Sequence, residues 1–189
     1  MRRATSGYPH EGRPLPPHHA KRMEISVSNQ QPTHAIDEAA VFSAVRAVLD
    51  DSPFSRGTIS VAIVDDPTIH ELNRRYLSHD WPTDVLSFVL EQTSEELEGE
   101  IVVSADTAFR QAFDYGWTPA DELLLYVVHG MLHLVGFDDQ SPADAQKMRL
   151  AETRYLARLG IERSEQQPEF EEAGSNSHAT SQNGGPTRP

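Results

Sequence analysis

From Leu123 to Val135 the chain reads Leu-Leu-Leu-Tyr-Val-Val-His-Gly-Met-Leu-His-Leu-Val, apolar nearly all round a helix and interrupted by His129 and His133. A helix with no face for water must be buried, so the rest of the fold has to pack around it. Side chains four apart share a helix face, which sets the two imidazoles side by side. Gly136 follows His133 by three residues and can end the helix and reverse the chain. The reversal lets Asp139, three residues further on, return toward the histidines. Two histidines and a carboxylate around one ion, with a fourth position open, are the donor set of a hydrolytic zinc site. Burial disfavours the imidazolium, so both histidines are expected to be neutral near pH 7.

The chain has 189 residues and no cysteine, so any metal must be held by nitrogen and oxygen. Residues 1–22 carry four prolines and almost no aliphatic side chains, and residues 161–189 are mostly Gln, Glu, Ser, Asn, Gly and Pro. Neither segment can bury enough apolar surface to offset ordering, so both are expected to be disordered, an N-terminal extension and an acidic, polar C-terminal tail. The folded domain is expected over residues 23–160. No apolar run follows Met1-Arg2-Arg3, which argues against a signal peptide, and no segment has the ~18 apolar residues of a membrane span. A cytoplasmic location is the expectation. Residues 23–160 hold 9 Lys and Arg against 23 Asp and Glu, a net charge of −14 within a chain of −13. Such a body repels polyanions at long range, so a nucleic-acid partner needs a local patch or a helper protein.

Hydropathy patterning predicts four strands (23–29, 58–64, 85–90 and 100–104) and five helices (37–49, about 66–76, 106–114, 118–135 and 141–159). Asp66 is the expected cap of the second helix, with Pro67 at its start, and Thr118-Pro119-Ala120-Asp121 is a capping box opening the histidine helix. The acidic segment Glu91 to Glu98 is expected to be a solvated loop between two strands. Alternation puts Val85 and Ser87 on one strand face and Leu86 and Phe88 on the other. The predicted class is α+β, a four-stranded mixed sheet packed with about five helices.

Bare His-x-x-x-His is also compatible with two core histidines bonded to backbone. Gly at +7 and an acid at +10 from His129 match the extended zinc-peptidase spacing. That pattern needs Glu directly after the first histidine as general base, and this chain has Gly130 there. The clamp is present without the peptidase's base. Asp138 remains an alternative third ligand to Asp139. Glu122, seven residues before His129, is either an orienting carboxylate or a favourable charge at the helix N-terminus. Arg74 and Arg75 are candidate phosphate contacts, or an ordinary solvated face.

Three blocks together resemble one family. His129-Gly130-Met131-Leu132-His133-Leu134-Val135-Gly136-Phe137-Asp138-Asp139 resembles the signature of the YbeY proteins. Leu72-Asn73-Arg74-Arg75-Tyr76-Leu77 followed by Asp80-Trp81-Pro82-Thr83-Asp84-Val85-Leu86-Ser87-Phe88 resembles a second block, and Gly99-Glu100-Ile101-Val102-Val103-Ser104 a third. The resemblance covers about residues 24–158. It implies a single-strand-specific metallo-endoribonuclease with one zinc ion, acting in 16S rRNA 3′-end maturation and ribosome quality control. It also implies precursor 16S rRNA and ribosomal or assembly proteins as partners, and a cleft between the histidine helix and the Pro82–Phe88 strand. Two positions depart from the pattern: Asp139 stands where the family has a third histidine, and Leu77 where it has an arginine. A ribosome-assembly factor that keeps a structural zinc and cuts little, and a zinc metallopeptidase, are the rival readings.

Overall fold

The computed structural model describes residues 22–162. The two segments expected to be disordered therefore lie outside the described residues, apart from Arg22, Ile161 and Glu162. In chain order the elements are β1 (Arg22–Asn29), α1 (Glu38–Asp51), β2 (Arg56–Val64), α2 (Asp66–Leu77), β3 (Val85–Gln92), β4 (Glu96–Ser104), α3 (Ala105–Tyr115), α4 (Pro119–Leu134) and α5 (Pro142–Arg158). The strands form one mixed sheet in the order β1-β2-β4-β3. The β1–β2 and β2–β4 pairs are parallel, and β3 runs antiparallel to β4 at the edge. Among the described residues, no helix is long and apolar enough to cross a membrane.

Side-chain alternation along the strands builds two cores. Ile59, Val61, Ile63, Leu97, Ile101 and Val103 point to the larger core, which α1, α4 and α5 cover. Val64, Leu86 and Val102 point the other way, against Ile69 of α2. Helix α4 lies at the centre of the larger core and buries Leu123, Leu124, Tyr126, Val127, Val128, Met131, Leu132 and Leu134. Each such side chain contributes roughly 1.5–3 kcal/mol of gross burial energy, enough to lock the helix and the two histidines it carries. Thr118 accepts the Asp121 N–H at 3.1 Å and Pro119 opens the helix, as its sequence predicts. Gly99 makes room for the Leu134 side chain of α4, because a Cβ there would lie 2.8 Å from a Leu134 methyl.

Two expectations need correction. The Glu91–Glu98 segment is not a loop: β3 and β4 form a tight hairpin through it, with Glu91 paired to Glu98 and Gln92 to Leu97. Leu97 is wholly buried, so its alternation with the half-buried Glu96 and Glu98 overrides their polarity. The cap of α2 is Asp65, whose side chain accepts the Thr68 N–H at 3.0 Å, and not Asp66. The Asp66 carboxylate turns inward instead, accepting from the Ser104 and Thr107 hydroxyls and pairing with Arg110 at 2.9 Å.

Candidate metal centre

Helix α4 ends in a complete Schellman turn. Gly136 has φ +99°, the Gly136 N–H donates to His133 O at 3.0 Å, and the Phe137 N–H donates to Leu132 O at 2.9 Å. Nothing would touch a Cβ at Gly136, so it is the left-handed backbone that selects glycine here. The turn leads directly to Asp138 and Asp139, and the two acids do different work. Asp138 Oδ1 accepts the backbone N–H groups of Asp139 and Gln140 at 2.8 and 3.2 Å and so closes the next turn on itself. Asp139 is left to face the helix, with Oδ2 lying 3.7 Å from His129 Nε2 and 3.9 Å from His133 Nε2.

The two imidazoles meet edge to face, with their Nε2 atoms 3.0 Å apart. Their outer nitrogens fix the tautomers. His129 Nδ1 lies 2.7 Å from Glu152 Oε1, and His133 Nδ1 lies 3.1 Å from Phe137 O. A carboxylate and a carbonyl only accept, so both Nδ1 atoms donate and both Nε2 lone pairs turn inward. Two lone pairs at that distance repel unless a proton or a cation lies between them. Three ligand atoms held at ~2.0–2.1 Å from a tetrahedral zinc stand about 3.3–3.4 Å from one another. The observed separations of 3.0, 3.7 and 3.9 Å bracket that value, so the donor set fits a divalent ion. Among the described residues, His129, His133 and Asp139 are the group of such side chains whose ligand atoms come this close.

Glu152 is the residue that reading the sequence missed. It sits on the buried stripe of α5 with Met148, Tyr155 and Leu156, and only 6% of it is exposed. An acid inside a helix's apolar stripe is the signal that could have found it. Glu152 also offsets the effect of burial on His129. Burial pulls that imidazole's pKa down, but the Glu152 hydrogen bond and charge, helped by Asp84 and Asp139, bring it above the ordinary value. Glu122, the carboxylate considered for the orienting role, instead lies buried in the first turn of α4 beside the Tyr126 hydroxyl. Burial pushes that hydroxyl's pKa well above its usual range, and the Glu122 charge pushes the same way.

The histidines open onto a cleft of about 560 Å³ between α4 and β3, walled by Leu77, Thr83, Asp84, Val85, Ser87, Val89 and Gln140 among others. Val85 and Ser87 face α4, as alternation predicts, and press on Gly130. A Cβ there would lie 3.0 Å from Val85 Cγ2 and Ile101 Cγ2 and 3.1 Å from Ser87 Oγ. The position at which a zinc peptidase carries its glutamate therefore has no room for a side chain. Leu77 reaches the cleft, so an apolar group stands where the resemblance expects a cation. Arg74 and Arg75 are not among the cleft's walls: Arg74 pairs with Glu71, and Arg75 lies over the Tyr76 ring at 5.4 Å.

This arrangement of sheet, buried histidine helix and edge-strand cleft has counterparts among known proteins. Residues 26–160 match the family model described as Endoribonuclease YbeY. A protein of that name from Moorella thermoacetica is 38% identical over 157 residues, covering 75% of this chain and all of the relative. Another, from Rhodopirellula baltica, is 50% identical over 109 residues, which span 57% of this chain and 56% of the relative. A solution structure of a Thermotoga maritima protein superposes with a TM-score of 0.51 over 72% of this chain and 88% of that one, at 24% identity, and shares the fold. The chain belongs to the YbeY endoribonuclease family.

Proposed function

We propose that this chain is a zinc-dependent endoribonuclease that cuts single-stranded RNA during rRNA processing. The 3′ end of precursor 16S rRNA and the quality control of ribosomes in the cytoplasm are its field of action. Endoribonuclease action follows from the family, whose relatives carry that name. The observation that supports the metal reading is the convergence of three acceptors, two Nε2 lone pairs and a carboxylate, with both Nδ1–H groups spent outward.

In this reading His129, His133 and Asp139 hold one zinc ion. Bound there, zinc supplies Lewis acidity toward a phosphate oxygen and lowers the pKa of water. The chain's own groups do the positioning. Glu152 keeps His129 in the tautomer that offers Nε2, and the Phe137 carbonyl does the same for His133. The Gly136 turn delivers Asp139, an anion where the family pattern has a neutral histidine. An anionic ligand holds the cation firmly and makes the water it activates a slightly weaker acid. The cleft along β3 admits a strand of RNA beside the histidines.

The rival from another class, an assembly factor with a structural zinc, draws on the acidic body and on the absence of Arg74 and Arg75 from the cleft walls. Cleavage of a single-stranded RNA by wild type and His133→Ala, purified side by side, separates the two. Loss of cleavage in the variant supports the nuclease, and equal rates reject it. Cleavage of casein in place of RNA would instead point to the peptidase, against which the crowding at Gly130 already argues.

A further inference from the structure

An acidic protein with no arginine on its cleft walls needs some other grip on a polyanion. The structure carries one at the rim. Residues 78–84 join α2 to β3, and Leu77 at the end of α2 and Thr83 near the start of β3 both line the cleft. Three contacts pin this loop. The nearly buried Asn73 donates from Nδ2 to Trp81 O at 2.8 Å, the His79 N–H donates to Asn73 O at 3.4 Å, and His70 Nε2 pairs with Asp80 Oδ1 at 3.0 Å. The pinned loop displays its largest apolar side chain to solvent. Trp81 is 57% exposed, with one indole face stacked on His79 at 4.7 Å and 12° between planes.

Core packing does not account for a tryptophan held in this way. Burying it would gain more than leaving it in water, yet the loop, its backbone tied to Asn73, leaves it exposed. An indole backed on one side and exposed on the other is the kind of platform on which an unpaired base stacks. Stacking needs no net positive charge, and it rejects duplex, whose bases already stack on one another.

We propose that Trp81, backed by His79 and two residues from the cleft-lining Thr83, is a base-stacking platform that seats an unpaired nucleotide beside the cleft and supplies the affinity that cationic contacts do not. The proposal deepens the endoribonuclease reading and rests on it for the identity of the strand, but its test does not need the metal chemistry. The full chain is titrated against a fluorescein-labelled 12-nucleotide single-stranded DNA, which offers bases without the 2′-hydroxyl that a ribonuclease acts on. Trp81→Ala is expected to weaken binding by roughly 5- to 100-fold, and Trp81→Phe, which keeps a π face, to recover most of it. An otherwise identical strand with abasic sites should bind wild type as weakly as the intact strand binds Trp81→Ala, with no further loss in the variant. Raising salt from about 50 to 200 mM should cost wild type less than about tenfold, where a phosphate-driven interface loses 10³ or more. Binding by Trp81→Ala within twofold of wild type, full affinity for the abasic strand, or no binding by wild type would each overturn the platform. The RNA cleavage comparison with His133→Ala stands or falls separately, so failure of the platform and failure of the nuclease are told apart.

Discussion

Two polar clusters, one around the first turns of α3 and one at the C-terminal end of α4, use the same residue types to opposite ends. In the first, His34 Nε2 meets Asp106 Oδ1 at 2.9 Å, and the other Asp106 oxygen accepts the Asp66 N–H at 3.0 Å. Asp66 in turn accepts from Ser104, Thr107 and Arg110. Every acceptor there faces a donor, so the cluster is complete as it stands and ties α2, α3 and the loop before α1 together. In the second, His129, His133 and Asp139 point acceptors at acceptors, and their donors are spent on Glu152 and Phe137 behind them. The first cluster has no use for a cation and the second has no stable form without a proton or a cation. Composition does not separate a metal site from a structural knot, whereas the balance of donors and acceptors does.

The comparison can be broken most sharply by equivalent deletions. His133→Ala should lose zinc and depress RNA cleavage by about 100-fold or more, while His34→Ala should keep its full zinc content by elemental analysis. Zinc lost equally from both would erase the distinction. Next in size is Gly130→Glu, which restores the peptidase's base on paper. Overpacking against Val85 and Ile101 should lower stability by about 3 kcal/mol in urea unfolding, and no caseinase activity should appear. A stable, proteolytic variant would contradict the packing argument. Glu152→Gln keeps the shape but removes the charge behind His129, so zinc affinity should fall about 10–100-fold with the fold intact. An unchanged affinity in chelator competition would show that Glu152 serves α5 packing alone.

The smallest effect probes the complete cluster. Burial raises the Asp66 carboxyl's pKa, but bonds from Ser104, Thr107 and Arg110 outweigh it and bring it below the ordinary 3.8. A carboxylate with a depressed folded pKa stabilises above its unfolded pKa, and that contribution fades as pH falls through the folded value. Asp66→Asn should therefore cost about 1 kcal/mol at pH 7, with the gap to wild type narrowing toward pH 3 in urea titrations. A gap independent of pH would mean that shape, not charge, holds this corner.

Much of this architecture is legible in the chain, because the decisive elements agree at every level. Helix α4 announces itself through apolar content, the Thr118 cap, Pro119 and the closing Gly136, and the spacing of its histidines carries the site with it. The hairpin was hidden because Gly99 occupies an inward position of β4 where an apolar residue would have completed the alternation, and because acids fill the outward ones. Only the fold reveals why glycine is needed there, which is to let Leu134 approach. The α2 cap was misplaced by one residue because Asp65 and Asp66 are both competent, and the choice falls to Ser104, Thr107 and Arg110, distant in sequence. Glu152 went unseen for the same reason, since its partner lies 23 residues away on another helix.

The central claim is that His129, His133 and Asp139 close on a single cation while Asp138 only shapes the turn. Zinc stoichiometry of the purified chain tests it most directly, with wild type, Asp139→Ala and Asp138→Ala compared under one protocol. About one zinc per chain in wild type and in Asp138→Ala, with most of it gone from Asp139→Ala, is the predicted result. Zinc retained by Asp139→Ala, or lost from Asp138→Ala, would contradict it.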